Sequence, residues 1–135
     1  MDLTQQDSAE ACLQRIKMAW DAGDARRYAA EFTQDATYVI FLGDAQMGRA
    51  EIERTHIDVL GKWQRDMKMA VKPLSVRTIA PDVVSILTAG GLGKAEPIAY
   101  DKLQTFVFVR TGDGWKCAAF QNTKMSGSSM SLHNA

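Results

Sequence analysis

The chain has 135 residues, enough for one domain with a sizeable core. Lysine plus arginine and aspartate plus glutamate number 16 each, so the formal net charge is zero, and no long basic run favours nucleic acid as a partner. No apolar run approaches the ~18 residues of a membrane-spanning helix, and the polar first residues lack the apolar stretch of a secretory signal. These features predict a soluble cytoplasmic protein that binds neither nucleic acid nor a membrane.

Two cysteines and two histidines limit the redox and metal chemistry of the chain. Cys12 and Cys117 fall in a predicted helix and a predicted strand and form no Cys-x-x-Cys pair, which indicates buried reduced thiols. The histidines are His56 and the near-terminal His133, so no metal site is predicted. No phosphate-binding, nicotinamide or flavin motif is present, so no cofactor is predicted either.

Helical spacing dominates the first part of the chain. Asp7 or Ser8 can cap a first helix that Gly23 ends, and Asp24 can cap a second, shorter one. The apolar stripes of these helices are Cys12, Leu13, Ile16, Ala19 and Trp20, then Ala25, Tyr28, Ala29 and Phe32. Residues 33–35 are turn-like, and 36–42 read as a strand. A third helix is predicted from Gly48 to about residue 65, with the stripe Ile52, His56, Val59, Leu60 and Trp63.

Strand patterns fill the second half. Residues 67–92 are predicted as strands interrupted at Pro81, and Pro73 removes a ladder donor, which indicates a bulge or an edge strand. The glycine-rich residues 89–97 are predicted as a loop. Residues 101–123 form two β-rich runs around Gly112-Asp113-Gly114, a strong hairpin signal.

The order of these elements predicts an α+β fold. Helices pack on the concave face of a strongly curved, mostly antiparallel sheet, and the convex face stays open for a partner. The predicted domain spans residues 1–125, and residues 126–135 are predicted to be a flexible tail because they contain little to bury.

Several short motifs carry a family resemblance. They are Ala22-Gly23-Asp24-Ala25, Asp35-Ala36-Thr37-Tyr38, Gly48-Arg49-Ala50-Glu51-Ile52 and Gly112-Asp113-Gly114-Trp115-Lys116. In this order they resemble the nuclear transport factor 2-like superfamily, which includes SnoaL-like polyketide cyclases and steroid Δ5-isomerases. The ending Ala118-Ala119-Phe120-Gln121-Asn122-Thr123 resembles the SgcJ/EcaC branch. The match covers about residues 8–124.

The resemblance implies a cone-shaped fold with three N-terminal helices on a curved mixed, mostly antiparallel sheet. It also implies a small-molecule cavity and a homodimer formed through the sheet. Steroid-isomerase chemistry needs a carboxylate base and a hydroxyl that stabilises the enolate oxygen. The corresponding positions here are Ile40 and Ile16, which exclude that type of isomerase and predict an apolar lining instead.

His56 and Gln121 are the predicted catalytic candidates. His56 is either a structural histidine bonded to a carbonyl or a strand hydroxyl, or a general base near neutral pH. Gln121 and Thr123 share the strand parity that the resemblance points into the cone. An inward Gln121 could orient a ligand carbonyl or hydroxyl, or it could tie the last strand to the helices.

Further residues are predicted to line the cavity. Asp101 is either a cavity carboxylate or a solvated residue at a strand start. Aromatic and aliphatic side chains from the helices and the first strand either bind a flat or polyene ligand or pack as core. They are Trp20, Tyr28, Tyr38, Ile40, Val59 and Trp63.

Three phenylalanines are predicted on the opposite, convex face. Phe106, Phe108 and Phe120 would make an unusual exposed patch for a monomer, so they are predicted to form the homodimer interface. The predicted function is binding of a small, mainly apolar, polyketide-like molecule, as an enzyme or accessory protein of secondary metabolism. The alternative is a non-catalytic homodimeric binding or scaffold module.

Overall fold

A computed structural model describes residues 7–135, so the first six residues of the predicted domain lie outside the described part. Helix α1 spans Ala9–Asp21, α2 spans Ala25–Ala30 and α3 spans Arg49–Asp58, which continues into a π-helical turn at Val59–Trp63. The predicted caps are confirmed: the side chains of Ser8 and Asp24 accept hydrogen bonds from the first turns of α1 and α2.

Within residues 7–135, six strands form one sheet. They are β1 (Phe32–Val39), β2 (Ala45–Met47), β3 (Lys68–Ala80), β4 (Val83–Gly93), β5 (Lys102–Thr111) and β6 (Gly114–Lys124). The spatial order is β2-β1-β6-β5-β4-β3, with β1 and β6 parallel and every other neighbouring pair antiparallel. The α+β class and the mixed, mostly antiparallel sheet are therefore confirmed.

Two boundaries near the first strand differ from the sequence prediction. β1 begins at Phe32, which pairs with Cys117 and is fully buried, so the polar residues 33–35 lie inside an irregular strand and form no separate turn. β1 ends at Val39, and the chain turns back through Gly43 into the short strand β2, which the sequence did not predict. This early turn leaves Ile40 at the mouth of the cone.

The β3–β4 hairpin confirms one prediction and corrects another. The register shifts between Pro73 and Ser75, and β3 is an edge strand, as the missing donor of Pro73 indicates. β4, however, continues to Gly93 through residues predicted as a loop. Glycine is needed there because a Cβ at Gly91 would overlap the carbonyl oxygen of Ala99.

The prediction that Phe106, Phe108 and Phe120 form an exposed dimer interface on the convex face was wrong. Phe106 and Phe108 are 1% and 0% exposed and point towards the helices, and Phe120 is 5% exposed on the same face. The register shifts where Val107 pairs with Ala119 and Phe108 with Cys117, so Ala118 is an extra residue in β6. This bulge reverses the parity of β6 beyond it.

The last residues form a short helix that the sequence did not predict. Helix α4 spans Gly127–His133, and the Ser126 side chain caps it. Asn134 binds the backbone of Tyr100 twice, accepting from its N–H at 2.8 Å and donating to its carbonyl at 2.7 Å. The flexibility of residues 126–135 stays a prediction.

The core lies between α1, α2, α3 and the inner face of the sheet. Both cysteines are free and buried within it, which confirms that prediction. Among the described residues no helix is long and apolar enough to cross a membrane.

Candidate ligand-binding cavity

A cavity of about 580 Å³ lies between the helices and the inner face of the sheet. This volume falls in the range of small-molecule sites. Its apolar walls come from α1, the π-helical turn, the start of β3 and the centres of β5 and β6. They comprise Trp20, Ile40, Val59, Trp63, Met67, Met69, Phe106 and Phe120.

Aromatic contacts hold one wall of the cavity in place. The Trp20 indole N–H donates to the carbonyl of Met67 at 3.2 Å, which ties α1 to the segment before β3. The Tyr38 ring lies 4.6 Å from the Phe120 ring, and the Phe120 ring lies 4.8 Å from that of Phe106. The wall is therefore built by packing between neighbouring strands as well as by the helices.

A chain of buried polar groups crosses the floor of the cavity. His56 Nδ1 lies 2.7 Å from the carbonyl oxygen of Ile52, and its Nε2 lies 3.1 Å from the Tyr38 hydroxyl. The Tyr38 hydroxyl lies 2.6 Å from that of Tyr28. The three side chains line the cavity and are at most 4% exposed.

The direction of this chain follows from the carbonyl of Ile52. A carbonyl oxygen only accepts, so His56 Nδ1 carries the proton that it donates to Ile52, and neutral His56 has an accepting Nε2. The Tyr38 O–H then donates to His56 Nε2, and the Tyr28 O–H donates to the Tyr38 oxygen. Every proton is engaged, so the Tyr28–Tyr38–His56 chain can accept a hydrogen bond from a ligand but has none to donate.

Burial keeps these groups uncharged at neutral pH. It lowers the pKa of His56 from 6.5 to about 4, although the bond to Ile52 acts in the opposite sense. Burial also raises the pKa values of Tyr28 and Tyr38 well above their usual 10. The Tyr28–Tyr38–His56 chain is therefore a set of neutral dipoles.

A second polar group lies on the sheet. Thr88, Gln104 and Asn122 are register neighbours on β4, β5 and β6 and share the inner face. The Thr88 hydroxyl donates to Gln104 Oε1 at 2.7 Å, and Asn122 Oδ1 accepts from the Phe41 N–H at 2.8 Å. Gln104 and Asn122 line the cavity, and Thr88 is fully buried behind them.

An ion pair marks the rim next to this group. The Lys102 ammonium lies 2.9 Å from Asp101 Oδ2 and 4.5 Å from the centre of the Phe41 ring. Asp101 Oδ1 is buried and has no hydrogen-bond partner among residues 7–135. Phe41 and Trp63 remain 41% and 71% exposed at the mouth, so the entrance is apolar.

Most of the residues predicted to line the cavity do so. They are Trp20, Tyr28, Tyr38, Ile40, His56, Val59, Trp63 and Asp101. Their contribution to binding stays a prediction. Asp101 reaches the cavity from the segment before β5, whereas Thr105 and Val107 on β5 lie on the outer face.

Two predicted site residues do not reach the cavity. Gln121 and Thr123 are exposed on the outer face, where they line a separate groove of about 490 Å³. The prediction that they point into the cone was wrong because the bulge at Ala118 reverses their parity. Ile16 is fully buried in the core and is not part of the lining.

Thr88, Gln104 and Asn122 were missed by the sequence analysis. One signal could have found them. The two-residue turn at Gly112-Asp113 pairs Arg110 with Trp115, so the even-numbered residues of β5 share the face of Trp115 and Cys117. That pairing places Gln104 on the inner face. The position of Asn122 depends on the bulge, for which the sequence contains no comparable signal.

The buried thiols are poor nucleophiles. Burial, together with the Glu31 carboxylate, raises the pKa of Cys12 far above its usual 9, and burial raises that of Cys117 to about 12. Within residues 7–135 no three His, Cys, Asp or Glu side chains are grouped so that they could hold a metal ion. What the cavity offers chemically is hydrogen bonding and shape.

Comparisons with known proteins identify the fold. An uncharacterised protein with a cystatin-like fold from Caulobacter vibrioides is 23% identical, with a TM-score of 0.79 and 93% of each chain covered. A nuclear transport factor 2-like protein with a cystatin-like fold from Novosphingobium aromaticivorans is 18% identical, with a TM-score of 0.67 and 90% of this chain and 83% of that one covered. A ketosteroid isomerase-like protein from Erwinia carotovora atroseptica is 17% identical, with a TM-score of 0.66 and 87% and 93% covered.

No protein-family model matches the chain, and no curated protein matches it significantly. The structural likeness at these identities establishes the fold alone. The chain has the cystatin-like α+β fold of nuclear transport factor 2-like proteins.

Proposed function

We propose that the chain binds a small, mainly apolar, polyketide-like molecule in its cone-shaped cavity, as a member of the SgcJ/EcaC branch. The observation that carries this proposal is a cavity of about 580 Å³ with mostly apolar walls and two separate polar groups. A cone packed shut by core side chains would contain no such space. The motif at residues 118–123 supports the SgcJ/EcaC assignment.

The binding proposal is tested with the neutral fluorescent dye N-phenylnaphthylamine, whose emission rises in apolar surroundings. Ile40→Trp places a large side chain at the mouth of the cavity, whereas Val39→Trp makes the same change at its neighbour in the outer groove. We expect the dye to bind the native protein and Val39→Trp alike and to bind Ile40→Trp at least about tenfold more weakly. Equal binding by both variants, or none by the native protein, would contradict the proposal.

A proton-transfer enzyme is the second candidate, because the Tyr28–Tyr38–His56 chain borders the cavity. A ligand would give a proton to the Tyr38 oxygen while Tyr38 passes its own to His56 Nε2, leaving an enolate and an imidazolium. The lowered pKa of about 4 makes His56 a weak base, which favours binding without catalysis. Deuterium exchange at the acidic carbon of a bound tetralone tests this candidate: catalysis predicts exchange that His56→Gln abolishes while dye binding persists.

We further propose that the protein forms a homodimer through the outer face of the sheet. Half-buried apolar side chains, among them Leu103 and Val107, border the outer groove beside Leu87, which is 38% exposed. A twofold contact between two such faces would bury them. Val107→Lys should then give a folded monomer in sedimentation experiments, whereas Ile57→Lys, at an exposed position of α3 outside the groove, should leave the dimer intact. A monomeric native protein would contradict this part of the proposal.

A further inference from the structure

The polar group on the sheet consists of side chains that donate hydrogen bonds. Gln104 Oε1 accepts from Thr88, and Asn122 Oδ1 accepts from the Phe41 N–H. Neither amide nitrogen has a hydrogen-bond partner among residues 7–135, although both side chains line the cavity. Each amide therefore has its oxygen engaged by the protein and its N–H groups left for a ligand.

Thr88 and Gly90 position Gln104. Thr88 is 0% exposed, and its single hydroxyl proton selects which end of the Gln104 amide faces β4. A Cβ at Gly90 would overlap the Gln104 amide, so only glycine allows that side chain to lie flat against the strand. Gln104 itself is 7% exposed, which leaves its amide little other space.

The charges beside these amides balance. Lys102 is the cation at this end of the cavity, and its ammonium is paired with Asp101, whose second oxygen has no hydrogen-bond partner within residues 7–135. The ion pair is net neutral, so it supplies no excess positive charge to hold a carboxylate. The donors therefore suit a neutral oxygen acceptor.

The Tyr28–Tyr38–His56 chain has the opposite polarity. Its protons are all engaged, and only lone pairs on the two tyrosine oxygens remain for a ligand. Tyr38 pairs with Phe120 on β6, and Phe120 pairs with Phe106 on β5, two residues along the strand from Gln104. Two spacings between strands and two residues along β5 place the backbones of Tyr38 and Gln104 about 12 Å apart. Phe120 and Phe106 line the wall between them.

We propose that the ligand carries a neutral carbonyl oxygen at one end and a hydroxyl group at the other, joined by an apolar ring system. Gln104 and Asn122 donate to the carbonyl, and the hydroxyl donates to a tyrosine oxygen of the Tyr28–Tyr38–His56 chain. Gln104 and Asn122 are thus specificity-determining residues, and Thr88 is the residue that positions Gln104. The inference rests on the proposed binding function and gives it a substrate class.

Four bicyclic probes test the inference by calorimetric titration. They are a hydroxytetralone, the tetralone without the hydroxyl, the tetrahydronaphthol without the ketone, and a hydroxynaphthoic acid. We expect the hydroxytetralone to bind tightest, with a loss of about tenfold for each missing group, because each leaves protein hydrogen-bonding groups unpaired. The carboxylate should also bind more weakly than the ketone. Equal affinity for all four probes, or tighter binding of the acid, would overturn the inference.

Two variants of Thr88, one without the hydroxyl and one that keeps it, test the positioning of Gln104. Thr88→Val removes the hydroxyl that orients the amide, so the preference for the hydroxytetralone over the tetrahydronaphthol should fall by about tenfold. Thr88→Ser keeps the hydroxyl and should keep the preference, and so should Thr105→Val, the same change on the outer face. A merely structural Thr88 would lose thermal stability without any change in that preference, and this result would also overturn the inference.

N-phenylnaphthylamine separates this inference from the function on which it rests, because the dye has neither a carbonyl nor a hydroxyl group. If the native protein binds the dye but does not discriminate among the bicyclic probes, only the inference about the ligand's carbonyl and hydroxyl groups is overturned. Failure of the dye and of all four probes to bind would overturn both.

Discussion

The two faces of the β5–β6 hairpin have similar apolar content but different surroundings. On the inner face, Phe106 and Phe120 are almost fully buried and line the cavity. On the outer face, Leu103 and Val107 are half-buried and border a shallow groove, next to the exposed Gln121. The helices make the difference, because they cover only the inner face. Hydrophobicity alone therefore does not identify the face that holds a ligand, and the covering elements do.

The largest expected effect comes from truncating the inner face. Phe106→Ala should lower the free energy of unfolding by about 3–5 kcal/mol, because it removes a fully buried ring between Phe108 and Phe120. Val107→Ala, its neighbour on the outer face, should cost less than about 1.5 kcal/mol in the isolated chain. Urea unfolding of both variants at low protein concentration measures the difference. Equal losses would remove the distinction between the faces.

The next-largest effect is a pH dependence of the folding stability that comes from His56, which lines the cavity from α3. The pKa of His56 is about 4 in the folded chain, below its ordinary 6.5, so the unfolded state binds a proton more readily. The contribution of neutral, buried His56 to the free energy of unfolding is fully present above pH 6.5. It decreases as the pH falls towards 4, and the total loss is up to about 3 kcal/mol. Unfolding of the native protein and of His56→Gln across this range isolates the contribution. Parallel curves for the two proteins would contradict it.

A smaller effect distinguishes the two tyrosines of the buried chain. Tyr38→Phe leaves both His56 Nε2 and the Tyr28 O–H without a partner, and should cost about 2–3 kcal/mol. Tyr28→Phe removes only a donor to the Tyr38 oxygen and should cost about 1 kcal/mol. Thermal unfolding of the two variants at pH 7 tests the order. A larger loss for Tyr28→Phe would contradict the hydrogen-bond direction assigned to the Tyr28–Tyr38–His56 chain.

The smallest effect is expected on the outer face. Gln121→Ala and Thr123→Ala remove exposed side chains that lie outside the cavity, so the affinity for N-phenylnaphthylamine should stay within about twofold of the native value. Asn122→Ala, between them in sequence but inside the cavity, should reduce the affinity for the hydroxytetralone by about tenfold. Fluorescence and calorimetric titrations measure the two ligands. Weaker dye binding by Gln121→Ala would indicate that the dye binds in the outer groove, which would contradict binding in the cavity.

The fold was largely predictable because its signals are local. Ser8 and Asp24 cap their helices as their side chains allow, and the missing N–H of Pro73 marks the bulged edge strand. The site was less predictable because it depends on strand faces. Both parities of β5 and β6 are apolar, so periodicity could not choose between them, and the extra residue Ala118 then reversed the second half of β6.

The candidate residues on helices were placed more reliably than those on strands. Trp20, Tyr28 and His56 follow helical spacing, and one covered stripe per helix leaves a single choice of face. Gln121 and Thr123 depended on an uninterrupted strand, and a one-residue bulge moved them to the other face. Gln104 was recoverable from the turn pairing of Arg110 with Trp115, whereas its bond to Thr88 required the three-dimensional register.

The most direct test of the central claim is to locate a bound molecule by methyl-detected NMR. Ile40 and Val59 lie on the cavity wall, and Leu103 and Val107 lie in the outer groove, so intermolecular NOEs from N-phenylnaphthylamine distinguish the two regions. We expect NOEs to the methyl groups of Ile40 and Val59. NOEs confined to Leu103 and Val107 would contradict it and would make the groove, rather than the cone, the binding site.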